Sequence, residues 1–419
     1  MPRTFSSYLI DNPAEFKRKA IAWANQFPVC AVLDSCGYKL PYHRYEWIAG
    51  VGVADRFAGE AMNGLSSFDA GNDDWIFGHY GFEAGQNSTA KSGGSTFGQS
   101  LFFVPEIVLE IRENKALIGV LSGSPDDIAA EIFAIPNRVR QRYRARFRAA
   151  TSKEVFLSTV SALQQHIRRG DCYEINYCQE FIADNVGLDA PDLFNQLIEY
   201  SPNPFSAFYK IDDQYALCAS PERYVNKSGD KLISQPIKGT AARDPSDAAR
   251  DADNRMALQK SEKDRRENVI VVDLVRNDLS RVCEAGSVIV EELFGIYDFP
   301  SVFQMVSTVS GRIGADKDLA KVLAASFPMG SMTGAPKEKV LELINRYEPV
   351  MRGLYSGTIG YITPEKDFDF NVVIRTLLYN KTTGYLGYFA GAGITDLSDP
   401  EQEYEECLLK AAVLQKLFD

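Results

Sequence analysis

Asp264 and Glu267 stand three residues apart, and so do Glu403 and Glu406. In a helix that spacing puts each pair on one face. Hard divalent cations take oxygen ligands, and Mg²⁺ commonly uses one or two carboxylates plus water or substrate oxygens. Taken alone, each pair reads first as a solvated helix face, with Lys410 one turn beyond Glu406 as an i,i+4 partner. Lys238 lies in Ser234-Gln-Pro-Ile-Lys-Gly-Thr240, at the end of a strand-like run. The glycine beside it would let a ligand approach the backbone. An exposed turn lysine is the commoner outcome for such a pattern. Glu222, in Ser220-Pro-Glu222, is a strand-to-turn carboxylate with the same two readings. Ala390-Gly-Ala-Gly393 would either present backbone N–H groups to a carboxylate or mark a tight strand crossing. His43, His79 and His166 share no metal-ligand spacing. No Ser/His/Asp or Cys/His set forms, and no nucleophile elbow of the kind a built-in glutaminase needs is present.

The elements that would position these residues are a mixture. Strand-like runs fall at 47–53, 75–82, 107–111, 173–181, 207–211 and 231–237. Thr151 and Glu154 have the spacing of a capping box, which predicts a helix from there to Gly170. A long helical pattern covers 247–282, a shorter one runs from Pro336 to Tyr347, and a last helix follows Asp399-Pro400. The Gly/Ser/Asn-rich stretch 85–96 predicts a loop. Strands and helices do not alternate, so the expected class is α+β, with no dinucleotide or phosphate-binding glycine loop. Residues 1–150 read as a β-rich N-terminal portion and 151–419 as the catalytic portion, the two forming one intertwined domain.

The chain has 419 residues, 45% of them apolar, and a net charge of −11. That balance excludes nucleic acid and anionic membranes as partners, since both demand a basic footprint. It also means that an anionic substrate would need local cations or a metal. Seven dispersed cysteines without paired spacing read as reduced, buried thiols. No signal-like segment and no run of 18 apolar residues occurs, so a soluble, cytoplasmic protein is expected.

In order along the chain, these segments resemble the chorismate-utilising enzymes, a family that includes anthranilate, aminodeoxychorismate, isochorismate and salicylate synthases. The resemblance runs from about Gly170 to the C-terminus. It rests on Gly170-Asp-Cys-Tyr-Glu-Ile-Asn176, Ser220-Pro-Glu222, Pro236-Ile-Lys-Gly-Thr240 and Asp264-Arg-Arg-Glu267. It continues through Asp273-Leu-Val-Arg-Asn-Asp278, the segment PMGSMTGAPK at 328–337, Leu354-Tyr-Ser-Gly357, Ala390-Gly-Ala-Gly393 and Glu403-Tyr-Glu-Glu406. Asp74-Trp-Ile-Phe-Gly78 adds a looser N-terminal match.

The resemblance implies an α/β sandwich of two large antiparallel sheets, helices outside and the site between them. It implies Glu267 and Glu406 as direct Mg²⁺ ligands, with Asp264 and Glu403 acting through water. Chorismate is a dicarboxylate, so the metal would answer the charge problem. Arg375, Tyr355 and Lys410 would position its other polar groups, and Gly239, Thr240, Gly391 and Gly393 would meet its carboxylates. Lys238 separates the subfamilies: relatives that make anthranilate, isochorismate or salicylate generally carry Ala there, whereas lysine-using aminodeoxychorismate synthases carry Pro-Ile-Lys-Gly-Thr. Pro204-Phe-Ser-Ala-Phe208 also resembles the latter group. Leu33-Asp-Ser35 is a partial echo of the family's tryptophan-binding segment.

The implied activity is that of an aminodeoxychorismate synthase large subunit serving p-aminobenzoate and folate synthesis. Its rivals are anthranilate synthase component I and a non-catalytic chorismate- or tryptophan-binding regulator. In the implied route neutral Lys238 attacks C2, protonated Glu222 gives a proton to the departing 4-hydroxyl, and ammonia adds at C4. The lysine then needs a depressed pKa and the acid a raised one, and desolvation is expected to drive both. Ammonia would come from a separate glutamine amidotransferase, and a separate aminodeoxychorismate lyase would complete p-aminobenzoate. Two positions depart from the family. Glu174 stands where aminating relatives usually have Gln and water-adding ones Lys, and it reads as a structural acceptor ahead of a weak base. Gln304 stands where relatives usually have His, so a His-dependent proton step is not expected.

Overall fold

The strands Val29–Asp34, Trp47–Val51 and Ile76–Tyr80 are buried along almost their whole length rather than on alternate residues. Such strands must be covered on both faces. The computed structural model, which describes residues 2–59, 61–86, 97–300, 302–314 and 316–418, meets that demand with two antiparallel sheets packed together.

Among the described residues the first sheet has twelve strands. Its order is Thr4–Leu9, Lys115–Val120, Ile107–Arg112, Trp47–Val51, Val29–Asp34, Phe205–Ile211, Gln214–Ser220, Thr376–Asn380, Tyr385–Ile394, Glu174–Ala183 and Gly334–Ala335, with Arg148–Ala149 also on Glu174–Ala183. The second has ten. It runs Ile237–Ala242, Val302–Arg312, Lys231–Gln235, Arg223–Ser228, Phe368–Asn371, Thr358–Ile362, Ile76–Tyr80, Ser100–Val104 and Asp55–Ala58, with Ile289–Asp298 also on Val302–Arg312. Each sheet therefore mixes strands from both ends of the chain. One apolar cluster, with Phe77, Phe102, Tyr209 and Phe370, draws on both sheets. Another, with Trp23, Trp47, Phe156 and Leu163, joins the first sheet to its helices. The α+β class and the two-sheet sandwich agree with the sequence.

Several boundaries move. The helix Lys153–Arg168 is capped by Ser152, whose Oγ accepts from Val155 N, and not by Thr151, which is buried. The pattern over 247–282 is two helices, Ala248–Lys260 and Glu262–Ser280, because Ser261 is extended and its hydroxyl caps the second at Asp264 N. Pro236 ends one strand at Gln235, and Lys238 lies inside the next, Ile237–Ala242, rather than at a strand end. Pro336 flanks the helix Lys337–Tyr347 instead of opening it. The last helix, Pro400–Gln415, starts as expected under an Asp399 cap. Of the loop expected at 85–96, residues 87–96 lie outside the described residues. The cysteines are all free, five of them buried. Among the described residues no helix is long and apolar enough to cross a membrane.

Candidate active site

The seam between the sheets opens into a cavity of about 610 Å³ beside the helices Glu262–Ser280 and Pro400–Gln415. Every candidate named from sequence lines it: Glu222, Lys238, Gly239, Thr240, Asp264, Glu267, Tyr355, Arg375, Gly391, Gly393, Glu403, Glu406 and Lys410, together with Gln304. Glu174 is not in the wall; it lies behind Lys238.

Lys238 Nζ donates to Glu174 Oε1 at 2.6 Å, and Glu174 is 2% exposed. Burial alone would depress the lysine, but the charges of Glu174, Glu267 and Glu222 and the Glu174 hydrogen bond outweigh it. The net shift is upward, opposite to the expectation that desolvation would free the amine, so these neighbours hold Lys238 as an ammonium. Gly393 makes room for this pair. A Cβ there would lie 2.9 Å from both Glu174 Oε1 and Lys238 Nζ. Gly239, at φ +98, has a backbone that favours glycine and faces the Asp264 side chain.

Glu222 sits in the turn between Gln214–Ser220 and Arg223–Ser228, its N–H donating to Ser220 Oγ. Burial pushes its carboxyl up to about 7, against a Ser331 hydrogen bond and the charges of Lys238 and Arg375. The turn is anchored by Arg223, fully buried, which forks onto both Asp369 oxygens at 2.9 Å and also donates to Gln235.

Asp264 and Glu267 face the cavity from one helix and Glu403 and Glu406 from the other. Burial, then the negative neighbours Glu174 and Asp264, push Glu267 up to about 7 despite Lys238 and Lys263. Lys263 Nζ stands 4.0 Å from Glu267 Oε1 and 4.0 Å from Glu403 Oε1, a cation bridging the two helices. An all-oxygen set around a site that already draws a cation fits Mg²⁺. Among the described residues no three acidic, His or Cys side chains close into a metal cage, so the fit is to one or two carboxylates with water and substrate oxygens.

Arg375 makes no ion pair among the described residues, and burial depresses its pKa. It is held at φ 51, a costly backbone for arginine. A desolvated, unpaired guanidinium in a cavity wall invites an anion. Tyr355 is buried and stacked on Phe389. Gly391 and Gly393 face Cys178 and Asn176 across the sheet. Those two give their N–H groups to Glu348 and Thr333 instead, so the glycines turn their own backbone groups towards the cavity. Lys410 takes the Gly391 carbonyl at 2.9 Å and also pairs with Glu406, so the expected i,i+4 pair coexists with a place in the site. Gln304 pairs across from Thr240, and its buried Oε1 meets no partner among the described residues.

Sequence reasoning missed the buried frame behind Tyr355. Arg352 is fully buried, pairs with Glu348 at 2.6 Å and donates to Met332 O and Asn176 O. Glu83 accepts from the N–H groups of Arg352 and Gly353. The i,i+4 spacing of Glu348 and Arg352 was the available signal. Near Leu33, Asp34 and Ser35 the sheets enclose only about 40 Å³, with the Arg223 guanidinium over the Phe205 ring. That is space for a few waters.

A family model for chorismate binding enzymes matches residues 45–416. The chain belongs to the chorismate-binding enzyme family. Among its relatives, aminodeoxychorismate synthase component 1 of Klebsiella aerogenes is 41% identical over 260 residues, 62% of this chain and 57% of that protein. Its counterpart in Escherichia coli K12 is 38% identical over 283 residues, 68% and 59% of the two chains. The match therefore spans less than two thirds of these relatives. Among solved structures, the menaquinone-specific isochorismate synthase of E. coli superposes with TM-score 0.79 at 19% identity, covering 100% of this chain and 95% of that one. Anthranilate synthase component I of Streptococcus pneumoniae gives 0.75 at 24%, covering 99% and 93%. At such identities the chorismate-binding enzymes share the fold with this chain, and the chemistry must be argued from the cavity.

Proposed function

We propose that this chain aminates chorismate at C4, as component 1 of an aminodeoxychorismate synthase, through a covalent lysine intermediate. The observation that carries the reading is a primary amine and a carboxylic acid in one desolvated cavity: Lys238 Nζ, and Glu222 with its pKa near 7. The names of the relatives at about 40% identity support it.

In the proposed reaction, neutral Lys238 forms an Nζ–C2 bond as the C1=C2 pair shifts to C1=C6 and the C5=C6 pair shifts to C4=C5. The C4–O bond breaks and the oxygen leaves as water with the proton of Glu222. Ammonia then bonds to C4, the two π pairs return to C5=C6 and C1=C2, and the C2–Nζ bond breaks with its electrons going to the lysine. The new ammonium returns a proton to Glu222. Arg375, the Gly391 and Gly393 N–H groups, Thr240 and Tyr355 hold the substrate's carboxylates and hydroxyl. Glu267 and Glu406 would hold Mg²⁺, with Asp264 and Glu403 through water, and the bound ion would neutralise a substrate carboxylate. Ammonia would come from a separate glutamine amidotransferase, and a separate lyase would release p-aminobenzoate.

The test is product identification from chorismate, ammonium and Mg²⁺, with and without aminodeoxychorismate lyase. p-Aminobenzoate formed only with the lyase supports the reading. Anthranilate formed without it would replace this activity with that of anthranilate synthase component I, and no turnover with intact chorismate binding would point to a regulatory protein.

A further inference from the structure

The covalent route needs a neutral amine, and the structure presents an ammonium. Its proton must go somewhere before Nζ can attack. Among the described residues the one group hydrogen-bonded to Nζ is Glu174, at 2.6 Å. Glu174 is buried, and its second oxygen, Oε2, meets no partner among the described residues. Gly393 leaves the space this contact needs, since a Cβ there would press on both partners. Glu174 is buried and is not among the residues lining the cavity, whose wall contains Lys238. The contact it makes with that wall's chemistry is the hydrogen bond at Nζ.

We propose that Glu174 is the base for Lys238, taking the ammonium proton before Nζ bonds to C2 and returning it after the lysine is expelled. The inference rests on the proposed amination and adds to it a catalytic residue that contacts the reacting nitrogen. The cycle closes. Glu174 carboxylate and Lys238 ammonium become carboxylic acid and amine. The amine is alkylated at C2, ammonia at C4 releases it with its electron pair, and the acid reprotonates it. No proton need cross to solvent. The other charges that act on Lys238 are Glu222 in its turn, Glu267 on the helix Glu262–Ser280 and Glu406 on the helix Pro400–Gln415. None of these is hydrogen-bonded to Nζ.

The test compares Glu174→Gln with the unmutated enzyme in kcat, KM and thermal unfolding from pH 6 to 9.5. Taking the ratio of the two kcat values cancels ionisations common to both, including that of Glu222. An amide keeps the hydrogen bond but cannot accept the proton, so Lys238 must then lose it to solvent. Near pH 7 the ratio of unmutated to variant kcat should be roughly 10² or more, the range for a positioned base. It should shrink about tenfold per pH unit as hydroxide replaces the missing base, with KM for chorismate within about threefold. A ratio constant across pH, or a variant as fast as or faster than the parent, would overturn the proposal and leave Glu174 a clamp on the lysine. Glu174→Asp keeps a carboxylate, so its ratio should be independent of pH whatever its size; a ratio that shrinks with pH there also overturns it. Product identity in the unmutated runs tests the amination separately. Without 4-amino product both readings fall, whereas with product and a flat Glu174→Gln ratio only the base assignment falls.

Discussion

At the scale of single residues, the sequence places Lys238 and Glu222 but is silent on the state of the lysine. Pro-Ile-Lys-Gly-Thr is a local string, whereas the carboxylate that reverses the expected pKa shift is 64 positions away. Burial could be anticipated from sequence, but which charge would be buried alongside could not. Lys238→Ala should lower formation of 4-amino product by about 10² to 10⁴-fold, on the scale of a positioned catalytic group. Chorismate affinity should change far less, because Arg375 and the glycine backbone remain. Steady-state kinetics with mass analysis of products checks both, and a variant at the parent rate would remove Lys238 from the chemistry. Glu222 makes a second prediction. Its folded pKa, about 7, lies above the ordinary carboxylate value, so folding favours the protonated form. The stability this contributes is intact below the unfolded pKa and is lost as pH rises from about 4.5 through 7. Glu222→Gln lacks the ionisation and should gain on the parent by on the order of 3 kcal/mol between pH 4 and pH 8. Urea unfolding at the two pH values reads this directly, and equal differences at both would contradict it.

At the scale of elements, the helices that carry the carboxylates were legible, and their joints were not. Asp264 and Glu267 were placed on one long helix because the pattern over 247–282 stays polar-apolar throughout. The break comes from one hydroxyl, since Ser261 satisfies the Asp264 N–H better as a cap than as a helical residue. Likewise the run 231–237 looked continuous until Pro236, which lacks a ladder donor, divided it and left Lys238 on a fresh strand. The start of the last helix at Asp399-Pro400 and the stop at Gly170 were read correctly because each is fixed by neighbours in sequence. The two acidic helices also bear the metal prediction. Chelation should abolish turnover, and Glu267→Gln or Glu406→Gln should weaken Mg²⁺ binding, measured by calorimetry, together with activity. Full turnover in excess chelator would dismiss that role for them.

At the scale of the molecule, the α+β class and the two-sheet sandwich were legible, while strand order was not. Apolar runs announce buried strands, but nothing local says that Val29–Asp34 will lie between Trp47–Val51 and Phe205–Ile211. A fragment 151–419 would leave Phe205–Ile211 and Thr358–Ile362 each without a neighbour, as Val29–Asp34 and Ile76–Tyr80 come from the other side of the cut. It should show no cooperative thermal transition by circular dichroism, and a sharp one would mean that the catalytic portion folds alone.

The same interleaving has a consequence during synthesis. Ile76–Tyr80 finds Ser100–Val104 early, but its other edge waits for Thr358–Ile362. At roughly 5–20 residues per second the ribosome takes on the order of 15–55 s to deliver that strand. Throughout that interval a strand buried along its whole length in the folded protein keeps one open edge, the template on which unrelated chains pair. Slower elongation would lengthen the exposure without allowing an N-terminal half to finish folding. Yield of active protein should therefore depend on holding chaperones and on brisk translation of the codons between Val104 and Thr358.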